Sequence, residues 1–460
     1  MKTRLSIIIS VFFSIQAFCA AEPKFLIEED PSLLTTVVDV VVQTGAVDDA
    51  PTKSGLTNLL AELMLRGTKT KNRSKFQNEV ESLGASLDVR TTSDLIVFEG
   101  RVIQENTKAF LKLLEDAIVR PAFVPAEFQS LKTEVIASIA NKKNQNGRLA
   151  GLAMRRHIFA NTTLEHQVDG GMNTLTGITL DDVQKAYNDR FHQGNLLFAI
   201  TSPVKSDEVK ATLSAAWRQL PDGLKISRRS LPLKVPRKPL LIVVNKPGTS
   251  TGSLLQGQSG VTAQDPDRYA LQLGNYSFGG DIQLSRLFHV IREELGWTYA
   301  IGSTYSAMGE LTYQQGIYVI SYTPSIEFTV KSLLKTLSMW KDYYQAGLKK
   351  EELISARESL VNSYPFEFDS AEKRLSHRLH SYLYNVPVLS PEDYEKKLKS
   401  ISNDEIVKVL KAKQSPEGWI VAVVADPKEI QKQLDAEQKE VPEGERLKIG
   451  KVMTPDEVIQ

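Results

Sequence analysis

Cysteine is nearly missing: Cys19 is the only one in 460 residues. That excludes a disulfide framework and any zinc site built on thiolates. Histidine is scarce too, six in all. No charge sign dominates, since 56 Lys and Arg face 55 Asp and Glu for a net +1. Nucleic-acid binding and a polybasic membrane surface therefore have no support. After the N-terminus no apolar run reaches the ~18–20 residues that a membrane span needs. What is present is an ordinary globular balance, 42% hydrophobic, 8% aromatic and 24% charged. The length favours two or more domains, each able to bury its own core.

The chain starts with Lys2 and Arg4, then the almost wholly apolar Leu5–Ile15, then small residues at Ala17, Cys19, Ala20 and Ala21. A charged start, a short apolar core and a small-residue end make a secretory signal over residues 1–21. Cleavage after Cys19 or after Ala21 would each suit. The mature product is expected to be periplasmic or secreted.

The rest reads as a duplication. Leu175–Val183 begins a helix with Thr179 ahead of two acidic residues, and the apolar run Leu196–Ile200 follows. The same order recurs 223 residues on, with Leu398–Ile406, Ser402 as the cap and Trp419–Val423 as the run. Ser and Thr before acidic residues are favoured helix starts. A second pair is offset by 212: Phe76, Glu81, Leu83 and Gly84 match Phe288, Glu293, Leu295 and Gly296. Each set ends a helix before an alternating strand. The expected fold is α+β, with two homologous lobes that each pack helices on a mostly antiparallel sheet. The lobes span 22–224 and 240–430. Between them 225–239 is a basic connector with prolines at 232, 236 and 239, which suit neither helix nor central strand. A charged tail, 431–460, is expected to form a helix and a loose end.

Two segments are candidates for chemistry. Gly55-Leu-Thr-Asn58-Leu-Leu-Ala61-Glu62-Leu-Met-Leu-Arg-Gly67-Thr68 reads as a helix of about three turns stopping at Gly67. In the second lobe, Gly279-Gly280, Ser285-Arg286-Leu287 and Arg292-Glu293-x-x-Gly296-x-x-Tyr299 follow one another. Arg292 falls in the last helical turn and Tyr299 on the strand after it. His377 and His380 lie three apart, but have basic neighbours and no carboxylate partner in view, so they read as packing histidines. His157, His166, His192 and His289 are isolated.

On these two segments the chain resembles the pitrilysin/insulinase family of zinc metallopeptidases, which includes mitochondrial processing peptidases. That family carries G-L-x-H-x-x-E-H-x-x-x-x-G-T, in which two histidines at i and i+4 hold zinc and the Glu activates its water. Laid on this sequence, the histidine positions are Asn58 and Glu62 and the base position is Ala61. The third ligand position, a Glu in the family, is Ser138. All four have changed, and so has Asp88, where the family usually has Asn. The second-lobe pattern is intact. The resemblance assigns Arg292 to gripping substrate backbone and Tyr299 to stabilising the oxyanion at the scissile carbonyl. It implies a non-metal subunit, with no cofactor of its own, serving a homologous exported partner that carries H-x-x-E-H and zinc and acts on peptides. The alternative is a non-catalytic peptide-binding or scaffold protein with a peptidase-like fold.

Overall fold

The computed structural model describes residues 23–223, 231, 233–305 and 315–460. The proposed export signal and residues 225–230 and 232 of the connector lie outside the described residues. Strand-forming runs are dense in β-branched residues, as in Thr35–Val42 (T-T-V-V-D-V-V-V) and Leu240–Asn245 (L-L-I-V-V-N). Lobe 1 contains β1 (Lys24–Glu29), β2 (Thr35–Val42), a short hairpin of β3 (Gly67–Thr68) and β4 (Lys71–Asn72), β5 (Ser86–Thr91), β6 (Ile96–Ile103) and β7 (Leu196–Ser202). Lobe 2 contains β8 (Leu240–Asn245), β9 (Ser253–Ser259), β10 (Thr298–Tyr305), β11 (Ile317–Pro324), β12 (Ile420–Ala425) and β13 (Ile449–Met453).

The sheet orders are β1-β7-β2-β6-β5 and, read from the matching end, β13-β8-β12-β9-β11-β10. Apart from β13, the second is the first repeated strand for strand. The sense of pairing repeats as well: β1 runs parallel to β7 as β8 does to β12, and the other matched pairs are antiparallel. Thr179 and Ser402 are both N-caps, accepting from the backbone N–H of Asp182 and Glu405. The second sequence pair also holds. Gly84 (φ 60°) and Gly296 (φ 64°) reverse the chain in the left-handed region before β5 and β10, each the outermost strand of its sheet.

The lobes trade a helix. Asn146–Ile158 follows the first-lobe helices but lies on β9 and β12 of lobe 2, where Met154 fits against Gly257. A β-carbon at Gly257 would come within 2.4 Å of the Met154 sulfur, so glycine is required for this approach. Ala371–Tyr384 leaves lobe 2 and covers β1 and β7, forming a cluster of Leu375 with Leu26, Val41, Val97, Leu197 and Ala199. Arg374 and Arg378 fix it at the ends of the Glu28 carboxylate, at 2.7 and 3.0 Å.

The loose tail expected from its charge is instead ordered. Pro427–Glu437 is helical, β13 adds in parallel to β8, and the terminal helix Pro455–Ile459 packs on the exchanged helix Asn146–Ile158. Met453, Val458 and Ile459 are buried, which explains the order that net polarity concealed. No helix of the described residues is long and apolar enough to cross a membrane.

Beneath the exchanged helix, burial first and then the nearby charge of Glu99 push the Asp39 carboxyl from its ordinary 3.8 up to about 6. Arg90 and Arg101 oppose the shift. The native state thus binds the proton more tightly than the unfolded chain. The sign follows: stability falls as pH rises from about 4 to about 6, and the penalty is complete above that. Asp39→Asn is expected to stabilise the protein by roughly 1–3 kcal/mol at pH 7.5 and by little at pH 3.5, measured by urea denaturation at the two pH values.

Candidate functional site

The Leu56–Met64 helix is set by its start. Asp49 accepts from the backbone N–H groups of Gly55 and Thr57 and is held in turn by Arg190 at 3.0 Å. A carboxylate at a helix N-terminus is favourably placed against the dipole. Burial still raises the Asp49 pKa, with Arg190 as the main opposing influence. The sequence reading missed this anchor, whose only local sign is an acid six residues before Gly55. The helix is also shorter than expected. It ends at Met64, and Gly67 (φ 129°) lies in β3 instead of at the helix stop.

Asn58 and Glu62 share a face, as their i,i+4 spacing requires. The Asn58 amide donates to Glu62 Oε1 at 2.8 Å, so the two former ligand positions bind each other. Burial raises the Glu62 pKa against the opposing effect of that bond. Ala61 is fully buried in the lobe 1 core. Asn58 and Ser138 line one cavity of about 650 Å³ together with Lys142, Arg148, Arg155 and Asp169. Lys142 is paired with Asp169 at 2.5 Å. These basic residues were not singled out in the sequence, because they come from a different stretch of chain. Among the described residues no three His, Cys, Asp or Glu side chains group as a metal site would need. An amide, a hydroxyl and one hydrogen-bonded carboxylate do not fit zinc.

Asn58 and Ser138 nevertheless face the same space. Asn58→His/Glu62→His/Ser138→Glu is therefore expected to retain one zinc per chain after dialysis, by elemental analysis. A metal-free triple variant would show that the helices have moved apart.

The second-lobe motif has a geometry that spacing did not predict. Phe288–Glu294 is a π-helix, with the Leu295 N–H reaching the Val290 carbonyl at 3.1 Å. Tyr276–Gly280, holding the Gly-Gly, is another. Such wide turns are frequent at functional sites. The strand after it is not simply alternating either. The β10/β11 register shifts between Thr298 and Ile301, so Tyr299 and Ala300 bulge together toward solvent. Tyr299 is 84% exposed. The Arg292 guanidinium lies between two rings, 4.7 Å from Phe288 and 5.2 Å from Tyr299. Arg292 and Tyr299 thus meet on an open face of the outermost strand, and they do not line the cavity of Asn58 and Ser138. At an offset of 212, lobe 1 has Val80 and Leu87 in their places.

His377 stacks on Phe368 at 4.4 Å and His380 on Tyr384 at 4.5 Å, and neither joins a metal cluster among the described residues.

Residues 24–170 match the family described as "Insulinase (Peptidase family M16)", and 177–360 match "Peptidase M16 inactive domain". The chain belongs to the M16 peptidase family. It is similar to the "Non-peptidase homolog YmxG" of Helicobacter pylori, 21% identical over 93% of this chain and 99% of that one. An "Uncharacterized zinc protease" of Rickettsia felis is 23% identical over 82% of this chain and 89% of that protein. Among solved M16 structures, an inactive domain from Pseudomonas fluorescens superposes with a TM-score of 0.79 at 21% identity, covering 88% of this chain and 97% of that one. The periplasmic protease PqqL of Escherichia coli gives 0.71 at 16% identity, covering 89% of this chain but 47% of that chain. These likenesses establish the M16 fold in two lobes, and the match to the inactive-domain family and the likeness to a non-peptidase homolog mark this chain as an inactive-type member.

Proposed function

We propose that this protein is the metal-free subunit of a heterodimeric M16 peptidase exported from the cytoplasm. A homologous partner with an intact H-x-x-E-H supplies zinc, water and base. This chain lends Arg292 to hold the peptide backbone and Tyr299 to donate to the developing oxyanion. The observation that carries the reading is the state of that pair. The Tyr299 ring, lifted by a bulge and exposed on an outer strand, meets the guanidinium of the partly exposed Arg292, whereas Asn58 and Glu62 have closed on each other. Hydrogen-bond donors fixed before the reaction stabilise developing charge most effectively, and neighbours that hold Arg292 over Tyr299 supply such fixation.

The second reading, a peptide-binding or scaffold protein without a part in catalysis, is favoured by the likeness to the Helicobacter relative, a non-peptidase homolog. The two separate on reconstitution. Mixing this chain with an exported relative bearing H-x-x-E-H should give a complex with peptidase activity that neither subunit has alone. A stable complex whose activity equals that of the partner alone would support the scaffold.

A further inference from the structure

The duplication that built two sheets also built two cavities. In lobe 1 the cavity of Asn58 is walled by the Leu56–Met64 helix, the end of β5, the Pro125–Asn141 helix, the exchanged helix and the loop at Gln167–Asp169. In lobe 2 a cavity of about 560 Å³ is walled by the counterpart of each. These are the Arg268–Asn275 helix, the end of β10, the Lys350–Ser363 helix, the exchanged Ala371–Tyr384 helix and the loop at Val386–Leu389. Thr91 and Ser303, 212 apart in the sequence, line the two cavities at matching places on β5 and β10.

The chemistry of the walls has diverged completely. The lobe 1 cavity presents amides, the cations Lys142, Arg148 and Arg155, and the Asp169 carboxylate, with Phe159 as its one ring. The lobe 2 cavity presents rings: Tyr364 stacks on Tyr394 at 3.9 Å, Tyr269 meets Tyr394 edge-on at 6.2 Å, and His377 and His380 project from the exchanged helix. Its size falls within the range of ligand pockets, which are mainly apolar with a few polar groups.

The wall carries one cation, Arg268, and one carboxylate, Glu367, so its fixed charges favour neither sign of guest. The Arg268 guanidinium already covers the Tyr269 ring at 4.3 Å, and Lys397 approaches the same ring at 5.8 Å. The carboxylate of Glu367 stands 3.8 Å from His377 Nε2. A neutral ring would instead continue the edge-on and offset contacts that the wall already makes.

We infer that this lobe 2 cavity binds a neutral aromatic side chain of a peptide, with its adjoining backbone, as a pocket separate from Arg292 and Tyr299. That the ring arrives on a peptide rests on the function proposed above; the ring-binding chemistry does not.

The test is titration calorimetry on the whole mature chain without partner, using blocked pentapeptides Ala-Ala-X-Ala-Ala. With X as Phe, Tyr or Trp, binding is expected to be at least tenfold tighter than with X as Ala or Lys. Ser381→Phe, which places a ring on the cavity wall, should abolish the preference. Val388→Asp on the exposed rim serves the same purpose if circular dichroism shows Ser381→Phe to be unfolded. Equal binding of the Phe and Ala peptides, a preference for Lys, or a preference that survives in the folded variant would each overturn the inference. Because no turnover is measured, such a failure leaves the proposed role of Tyr299 standing, and a failure of that role leaves the pocket standing.

Discussion

In the assembled complex, Tyr299→Phe is expected to lower kcat by about 10²–10³-fold, the usual effect of removing one oxyanion donor. The substitution deletes only a hydroxyl. The ring that lies 5.2 Å from the Arg292 guanidinium remains, so the bulge and the ring contact should survive. Assembly, checked by co-purification, should be unchanged, and so should the zinc content, since the proposed function places the metal on the partner. The KM should change little, because the donor acts on charge that develops only in the transition state. Arg292→Lys should instead show mainly in KM, since an ammonium lacks the planar fork that grips two acceptors. A Tyr299→Phe complex that turns over at the normal rate would reject the catalytic role and leave the scaffold reading.

The second large effect concerns the traded helices. Leu375 reaches from lobe 2 into a cluster whose other members are on lobe 1 strands. Leu375→Ala is expected to destabilise the protein by about 2–5 kcal/mol, as for other buried leucines. The informative part is where the loss is felt. Trp217 is buried in lobe 1, and Trp340 and Trp419 in lobe 2. With each sheet covered by a helix from the other half, the lobes should unfold as one cooperative unit. Urea midpoints read from a variant retaining only Trp217 and from one retaining only Trp340 should coincide, and should fall together in Leu375→Ala. Two separate midpoints would show lobes that are stable independently.

Local pattern made much of this molecule legible. The apolar runs of β7 and β12, the caps Thr179 and Ser402, and the turns at Gly84 and Gly296 all depend on neighbouring residues, and the duplication follows from them. The i,i+4 spacing likewise places Asn58 and Glu62 together. Features made by distant contacts were hidden. Nothing local in Asn146–Ile158 or Ala371–Tyr384 says which sheet each helix will cover. The terminal residues read as loose because their charges outnumber Met453, Val458 and Ile459, yet these few apolar side chains suffice once β8 and the exchanged helix are beside them. The bulge at Tyr299 depends on pairing with β11, and the π-turn at Arg292 on how the chain re-enters the sheet. The spacing of Arg292 and Tyr299 was therefore readable, but their exposure was not.

Reconstitution with zinc counting separates a catalytic subunit from a scaffold. This chain and an H-x-x-E-H partner are purified separately, analysed for metal, and assayed on a peptide alone and mixed. Expected are no zinc on this chain, zinc on the partner, and peptide hydrolysis that rises at least a hundredfold on mixing. Zinc retained by the isolated chain, or a partner fully active by itself, would contradict the proposed function.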